Sequence, residues 1–510
     1  MPSADLILKN ARVITMDASS PLAEAVAVTG GKVAAVGRAA DLDSLIGSRT
    51  RVVDCAGRTV VPGFNDAHLH LFSLARKLLG IDLSPVSVRS IVDIKDVLKR
   101  EAAKIPPGTW LSGTDYNEFY LAEKRCPTRW DIDEAAPGHP VVLSHRSLHA
   151  CVLNSYALSL AGIDRNTEEP PGACIERDLD TGEPNGILVN MLGHVRSRVM
   201  PPLTVAELDR AFSMANVQFL SAGITSLGDA TYKNDPARWR LVKQYQDSGV
   251  LRSRVLMMAG PETRHEFQAA GMVTGAGDSR LRLGAVKFLL EVKPDQDELN
   301  QAALDCHRAG WQLAFHAVAE STVEEAIKAL EYIKLHSPVA GRRHRIEHCG
   351  ECPPALLERL KKLDAVIVTQ PPTLYYSGER YLETVKPDQL PWLYRIASPL
   401  DRGVVVAASS DAPVAPVNPL TGIYAAVTRR AESGQVLLPG ETITPYQALA
   451  LYTVNAAYAS FEEKTRGSIT PGRLADMVVL SDDPARVPPE RIKDIRVETT
   501  IIGGEVAWER

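Results

Sequence analysis

The sequence predicts an α/β fold: a (β/α)8 TIM barrel, a small β-sandwich domain formed by both termini, and an insertion after barrel strand 1. Three observations predict it. Short β-prone runs alternate with helix-patterned stretches through the middle of the chain. Strand-like runs with glycine turns occur at both ends. One segment, about 73–215, holds far more residues than a single crossover needs and is broken repeatedly by proline and glycine.

Taken in order, Leu6-Ile7-Leu8, Arg12-Val13-Ile14, Ala25-Val26-Ala27-Val28 and the run from Lys32 to Gly37 read as strands, with Gly30-Gly31 as a hairpin signal. The runs 475–480 and 499–506 repeat this texture at the other end. Residues 1–58 and 465–510 are therefore assigned to one discontinuous β domain, since chain ends often lie close together. Residues 59–464 are assigned to the barrel. Its expected strands are 59–66, 223–229, 253–259, 283–290, 311–316, 343–348, 364–370 and 403–411. Helical spacing of apolar residues is clear from Asp297 to Ala309 and from Val323 to Lys334. Segment 73–215 is expected at the catalytic rim as a lid-like subdomain.

Composition narrows the function. A chain of 510 residues with 45% hydrophobic and 23% charged residues is an ordinary globular one, and a net charge of −5 gives no reason to expect nucleic acid or an anionic membrane as partner. No run of 18 apolar residues exists and the N-terminus lacks a signal-peptide pattern, so a cytoplasmic location is expected. Seven scattered cysteines suit a reducing compartment. Cys349-x-x-Cys352 matches a redox pair by pattern only, and no second pair accompanies it for zinc.

The chemistry gathers at expected strand ends. In Val60-Val61-Pro62-Gly63-Phe64-Asn65-Asp66-Ala67-His68-Leu69-His70, strand alternation turns His68 and His70 the same way, an arrangement that can hold a divalent metal. Lys287 lies within an apolar run, His316 ends Gln312–His316, His348 ends Arg345–His348, and Asp411 follows Val404–Ser410. Singly, each has an ordinary explanation. A strand-end histidine is often core or surface, Ser-Ser-Asp is a turn or N-cap, and a lysine can snorkel to solvent. Together, four histidines, a lysine and an aspartate at one rim suit one or two transition-metal ions better than magnesium or calcium. Tyr116, Phe119, Tyr120, Tyr375 and Tyr376 are candidates to line a pocket, while Trp110 and Trp130 are expected in the core.

These pieces resemble the amidohydrolase superfamily, and within it the YtcJ-like (amidohydrolase 3) family that includes N-substituted formamide deformylases. The resemblance rests on the Pro62–His70 run, Pro127–Asp133, Pro140–Leu143, His149 with Asn154–Leu158, and Gly186–Leu188. It continues through Val286-Lys287, Phe315–Ala317, Arg345–His348, Ser409–Pro413 and the tail Gly467–Asp476. It covers nearly the whole chain. It implies that His68, His70 and Asp411 hold one metal, that His316 and His348 hold a second, and that an N6-carboxylated Lys287 bridges the two. An unmodified Lys287 would favour a single-metal site. The chain departs from the family in a short Glu291–Asp295 connection after the lysine strand, in Ser147-Leu148 before His149, and in Val189-Asn190 after Gly186–Leu188.

The reaction that the resemblance implies is metal-assisted hydrolysis, with zinc the expected ion. A bound metal lowers the pKa of water from 15.7 towards about 7 and polarises the substrate carbonyl. Asp411 would act as general base and then acid, and His149 would either stabilise the oxyanion or tie the insertion to the barrel. The expected substrate is a small molecule with a C–N amide-type bond, an amide or N-substituted formamide carrying an apolar or aryl group. The same site running ester or lactone hydrolysis, decarboxylation or isomerisation stays open, as does a non-catalytic homologue. A homodimer or larger homo-oligomer is compatible with such a chain.

Overall fold

The computed structural model describes residues 3–290 and 295–510. The chain divides into two compact units, one of Met1–Leu71 with Phe212–Arg510 and one of Phe72–Ala211. The short connection from Glu291 to Pro294, singled out above, lies outside the described residues.

Among the described residues of the first unit, eight strands form one parallel sheet in sequential order. They are β1 (Phe64–Leu69), β2 (Ile224–Asp229), β3 (Arg254–Ala259), β4 (Leu281–Leu289), β5 (Leu313–Ala317), β6 (Arg345–His348), β7 (Val366–Thr369) and β8 (Val406–Ala408). The segment after β8 returns to β1, where Asp411 N donates to His68 O at 2.9 Å and His70 N to Ala412 O at 2.7 Å. β1, β2 and β3 are buried along their whole length, as expected of strands covered on both faces. The helix Gln296–Arg308 buries Leu299, Ala303 and Leu304. The helix Glu320–His336 buries Val323, Ala326, Ile327, Leu330 and Ile333. Each large aliphatic side chain so covered contributes about 1.5–3 kcal/mol of transfer free energy.

The expected first strand, 59–66, is two strands. Thr59–Pro62 pairs parallel with Arg12–Ile14 and antiparallel with Met477–Leu480, so it belongs to the terminal β domain. β1 begins at Phe64. Gly63 between them lets Thr225 pack close, because a Cβ there would lie 2.2 Å from Thr225 Oγ1. The terminal strands form a four-stranded and a six-stranded sheet. Leu6, Leu8, Val26 and Val28 of the first pack in one apolar cluster with Val13, Val60, Met477, Val479 and Ile501 of the second, which makes the pair a sandwich. Arg254 at the start of β3 holds Asp476 through Nε–Oδ2 at 2.7 Å and Nη2–Oδ1 at 2.9 Å, joining sandwich to barrel. The expected fold class is the one observed.

The second unit is built on a mixed sheet in the order Cys174–Arg177, Pro184–Val189, Ala150–Leu153, Val141–His145, Leu111–Tyr116, Ile81–Asp82. Several motif residues here turn out to be structural. Thr128 and Asp131 form a capping box for the helix Arg129–Asp133. The Asn154 side chain caps Ser155–Ala161 by accepting from Ala157 N at 3.0 Å, and it also accepts from Val141 N at 2.9 Å. Gly186 has φ +100°, and a Cβ there would meet Leu153 O at 2.5 Å. Trp110 packs beside the apolar core as expected, but Trp130 is 41% exposed, because the short helix that carries it turns Ile132 inward instead. Among the described residues no helix is long and apolar enough to cross a membrane.

Candidate metal centre

The site stands where β1 and β8 end. Alternation along β1 turns Asp66, His68 and, one residue beyond the strand, His70 to the same side. His68 Nε2 lies 3.4 Å and His70 Nε2 3.3 Å from Asp411 Oδ1. One donor atom from each of these three residues falls within 4.8 Å of the others. The two imidazole rings stand nearly perpendicular, with centroids 5.4 Å apart. His348 (φ +70°) and Asp411 (φ +56°) both hold the left-handed backbone conformation, which costs a non-glycine residue about 1–3 kcal/mol and clusters at functional sites.

The other expected ligands gather beside this triangle. The ring of His348 at the end of β6 is 5.0 Å from that of His68, and His348 Nε2 is 3.0 Å from His316 Nδ1 on β5. Lys287 is buried on β4, and its charge acts on both His68 and His348. The residues expected at one rim are thus brought together from β1, β4, β5, β6 and the end of β8.

Electrostatics favours the ligand forms. Burial, and after it the Lys287 charge, pushes the His68 imidazole well below its ordinary range, so it is neutral. Burial and the adjacent His316 push His348 down to about 3. Burial alone would raise the Asp411 carboxyl, but the neighbouring imidazoles, His70 first, outweigh it and hold the group well below the usual carboxylate range. Asp66 lies below the triangle and accepts from Ser410 N at 3.0 Å; burial pushes it up to about 7 against those hydrogen bonds.

The donor set fits a divalent transition-metal ion. It consists of imidazole nitrogens and one ionised carboxylate, the N/O chemistry that zinc and its neighbours prefer. His68 Nε2 and Asp411 Oδ1 are also buried atoms that make no acceptable hydrogen bond among the described residues. Such atoms are costly to bury unless something else engages them.

Residues behind the triangle were not singled out from the sequence. His68 Nδ1 hydrogen-bonds to Glu347 Oε2, and Glu347 is gripped by Arg345. His70 Nδ1 lies 3.1 Å from Thr231 Oγ1, which lies 2.7 Å from Asp229 Oδ1. His348 Nδ1 lies 2.7 Å from Gln370 Oε1. Period-two reading of β6 could have found the first pair, because an inward Arg and Glu two residues apart in a buried strand must neutralise each other.

The remaining candidates take the following local positions. Tyr116 was expected to line a pocket but is fully buried in the apolar core of the second unit, where its strand position faces Leu83, Leu121 and Ile132 rather than a surface. Phe119 and Tyr120 are half-buried on a short turn of that unit, edge to face at 5.0 Å. His149 is exposed, with Nδ1 3.0 Å from Asn190 Oδ1. Tyr375 and Tyr376 are half-buried on the helix Pro371–Thr384 after β7. Tyr375 packs edge-on against Tyr424 at 5.7 Å, with Lys493 Nζ 3.5 Å from its hydroxyl. Cys349 and Cys352 are buried free thiols.

With this geometry, the likenesses to known proteins are informative. An N-substituted formamide deformylase from Arthrobacter pascens is 30% identical over 99% of this chain and 98% of its own length. A putative amidohydrolase YtcJ from Bacillus subtilis is 27% identical over 98% of both. The crystal structure of an uncharacterised metal-dependent hydrolase from Pyrococcus horikoshii superposes with a TM-score of 0.75 at 23% identity, covering 95% of this chain and 99% of that one. The family model described as "Amidohydrolase family" matches residues 51–507. The chain belongs to the amidohydrolase family.

Proposed function

We propose that the protein is a metal-dependent hydrolase that cleaves a C–N amide-type bond of a small molecule, an amide or an N-substituted formamide. The observation that carries this reading is the triangle of His68 Nε2, His70 Nε2 and Asp411 Oδ1, with donor atoms within 4.8 Å of one another. The likeness to a formamide deformylase over nearly the full length of both chains supports the choice of bond. A divalent ion held there, with zinc expected, supplies Lewis acidity and brings the pKa of water from 15.7 towards about 7.

The chain's own residues do the rest. His68 and His70 hold the ion through ring nitrogens. Asp411 is ionised, and its second oxygen accepts the proton of the attacking water and returns it to the leaving amine. His316 and His348 are the proposed second donor pair, with Lys287 between the two sets. Carboxylation of the Lys287 amine would remove a buried positive charge beside the cation sites and add two oxygen donors.

Elemental analysis of freshly purified protein, paired with product analysis on formamides, amides and esters, tests this. Bound zinc-like metal with release of an amine and a carboxylic acid is expected. Absence of metal would reject the metal site, and turnover confined to esters would reject the C–N bond.

A further inference from the structure

We propose that Arg345 and Glu347 form a positioning pair that fixes which nitrogen of His68 faces the cation cradle. The inference rests on the reading of His68 as a metal ligand. Both residues point into the barrel from β6, their side chains 1% and 0% exposed. His68 points in from β1, which is not a neighbour of β6 in the sheet. The contact therefore spans the barrel interior.

The direction of the hydrogen bond follows from its partners. Glu347 Oε2 meets His68 Nδ1. A carboxylate only accepts, so Nδ1 carries the proton and Nε2 keeps its lone pair towards Asp411. Arg345 holds that carboxylate at both oxygens, Nε to Oε1 at 2.6 Å and Nη2 to Oε2 at 3.0 Å. The same Nη2 donates to Ala67 O at 2.9 Å, the carbonyl just before His68. One guanidinium thus fixes the acceptor and the backbone of the ligand it orients.

The sister histidines use weaker versions of the same device. Gln370 Nε2 donates to Ser409 Oγ at 3.0 Å and Val368 O at 3.3 Å, so its Oε1 is left to accept from His348 Nδ1. Thr231 stands behind His70. Only His68 has a charged acceptor at full burial among these three contacts. A buried ion pair adds little net stability over apolar residues of similar size, so holding a ligand in one tautomer is the better account of this one.

Two double variants isolate the acceptor from the charge. Arg345→Met with Glu347→Gln keeps an acceptor oxygen without charge. Arg345→Met with Glu347→Leu removes it. Zinc affinity of metal-depleted protein is read by competition with a chromophoric chelator. Both doubles are expected to bind zinc more weakly than the unsubstituted protein, the second by about 10–100-fold and the first by less, because it keeps an acceptor oxygen but loses the guanidinium grip. Equal affinities in the two doubles would overturn the proposal. His68→Ala is the control. If it binds zinc as tightly as the unsubstituted protein, the ligand reading itself has failed, which is distinct from a failure of positioning alone. Should the doubles not fold, ¹⁵N shifts of the metal-free protein decide: a His68 ring protonated at Nδ1 supports the proposal, and one protonated at Nε2 overturns it.

Discussion

Asp411→Asn separates charge from shape at the centre of the cradle. Oδ1 stands 3.4 Å and 3.3 Å from the two histidine nitrogens, and the donor atoms all lie within 4.8 Å. A pair of unit charges at about 4 Å is worth about 4 kcal/mol at an effective dielectric of about 20. An ion of charge two held among these donors would gain more, so that figure is a floor. It corresponds to a loss of about a thousandfold in metal affinity. Turnover should fall by about 10²–10⁴, the range for a lost general acid–base group. The metal-free variant should be less stable than the unsubstituted protein at neutral pH, because the neighbouring imidazoles favour the carboxylate charge by more than burial opposes it. Chelator competition, steady-state kinetics and thermal melts of metal-free protein measure the three effects. A folded Asp411→Asn variant with unchanged zinc affinity and turnover would refute the reasoning.

Three further outcomes are expected. Lys287→Ala should lose activity and regain part of it with added short carboxylic acids and metal; no loss at all would exclude a bridging role. Asp476→Ala leaves Arg254 buried without its bidentate partner and should destabilise the protein by about 3–5 kcal/mol in denaturant titrations, whereas a change under about 1 kcal/mol would mean the sandwich–barrel joint does not depend on it. Burial, with His307 and Arg342 nearby, pushes His344 down to about 3 in the folded chain, so its contribution to stability is present above the unfolded value of 6.5 and is lost as pH falls from there towards 3. The unfolding free energy should then drop by up to about 1.4 kcal/mol per pH unit through that window, and His344→Gln should flatten the slope; an unchanged slope would assign the effect to other groups.

Much of the candidate site was legible because a metal centre would demand particular residue types. His68, His70, Lys287, His316, His348 and Asp411 are unusual at the ends of apolar runs, and strand-end placement needs only local pattern. The groups behind them were harder to read. Glu347 and Arg345 sit in the same four-residue strand as His348, but nothing local says that they reach across to β1. Tyr116 looked like a pocket aromatic because side-chain type says nothing of depth. The Pro127–Asp133 and Asn154–Leu158 motifs, which carry part of the family resemblance, are helix caps and turns.

By itself the sequence determined the alternation of strands and helices, the pairing of the two chain ends into one β domain, and the residue types at the strand ends. Those are consequences of periodicity and turn chemistry, which act over a few residues. Only the tertiary structure decided that Thr59–Pro62 and Phe64–Leu69 part company at Gly63, since the partners that draw them into different sheets, Met477–Leu480 and Ile224–Asp229, lie far along the chain. It also decided that Nε2 of His68 and of His70 converge on one oxygen of Asp411, because side chains more than 340 positions apart share a point only once the barrel closes.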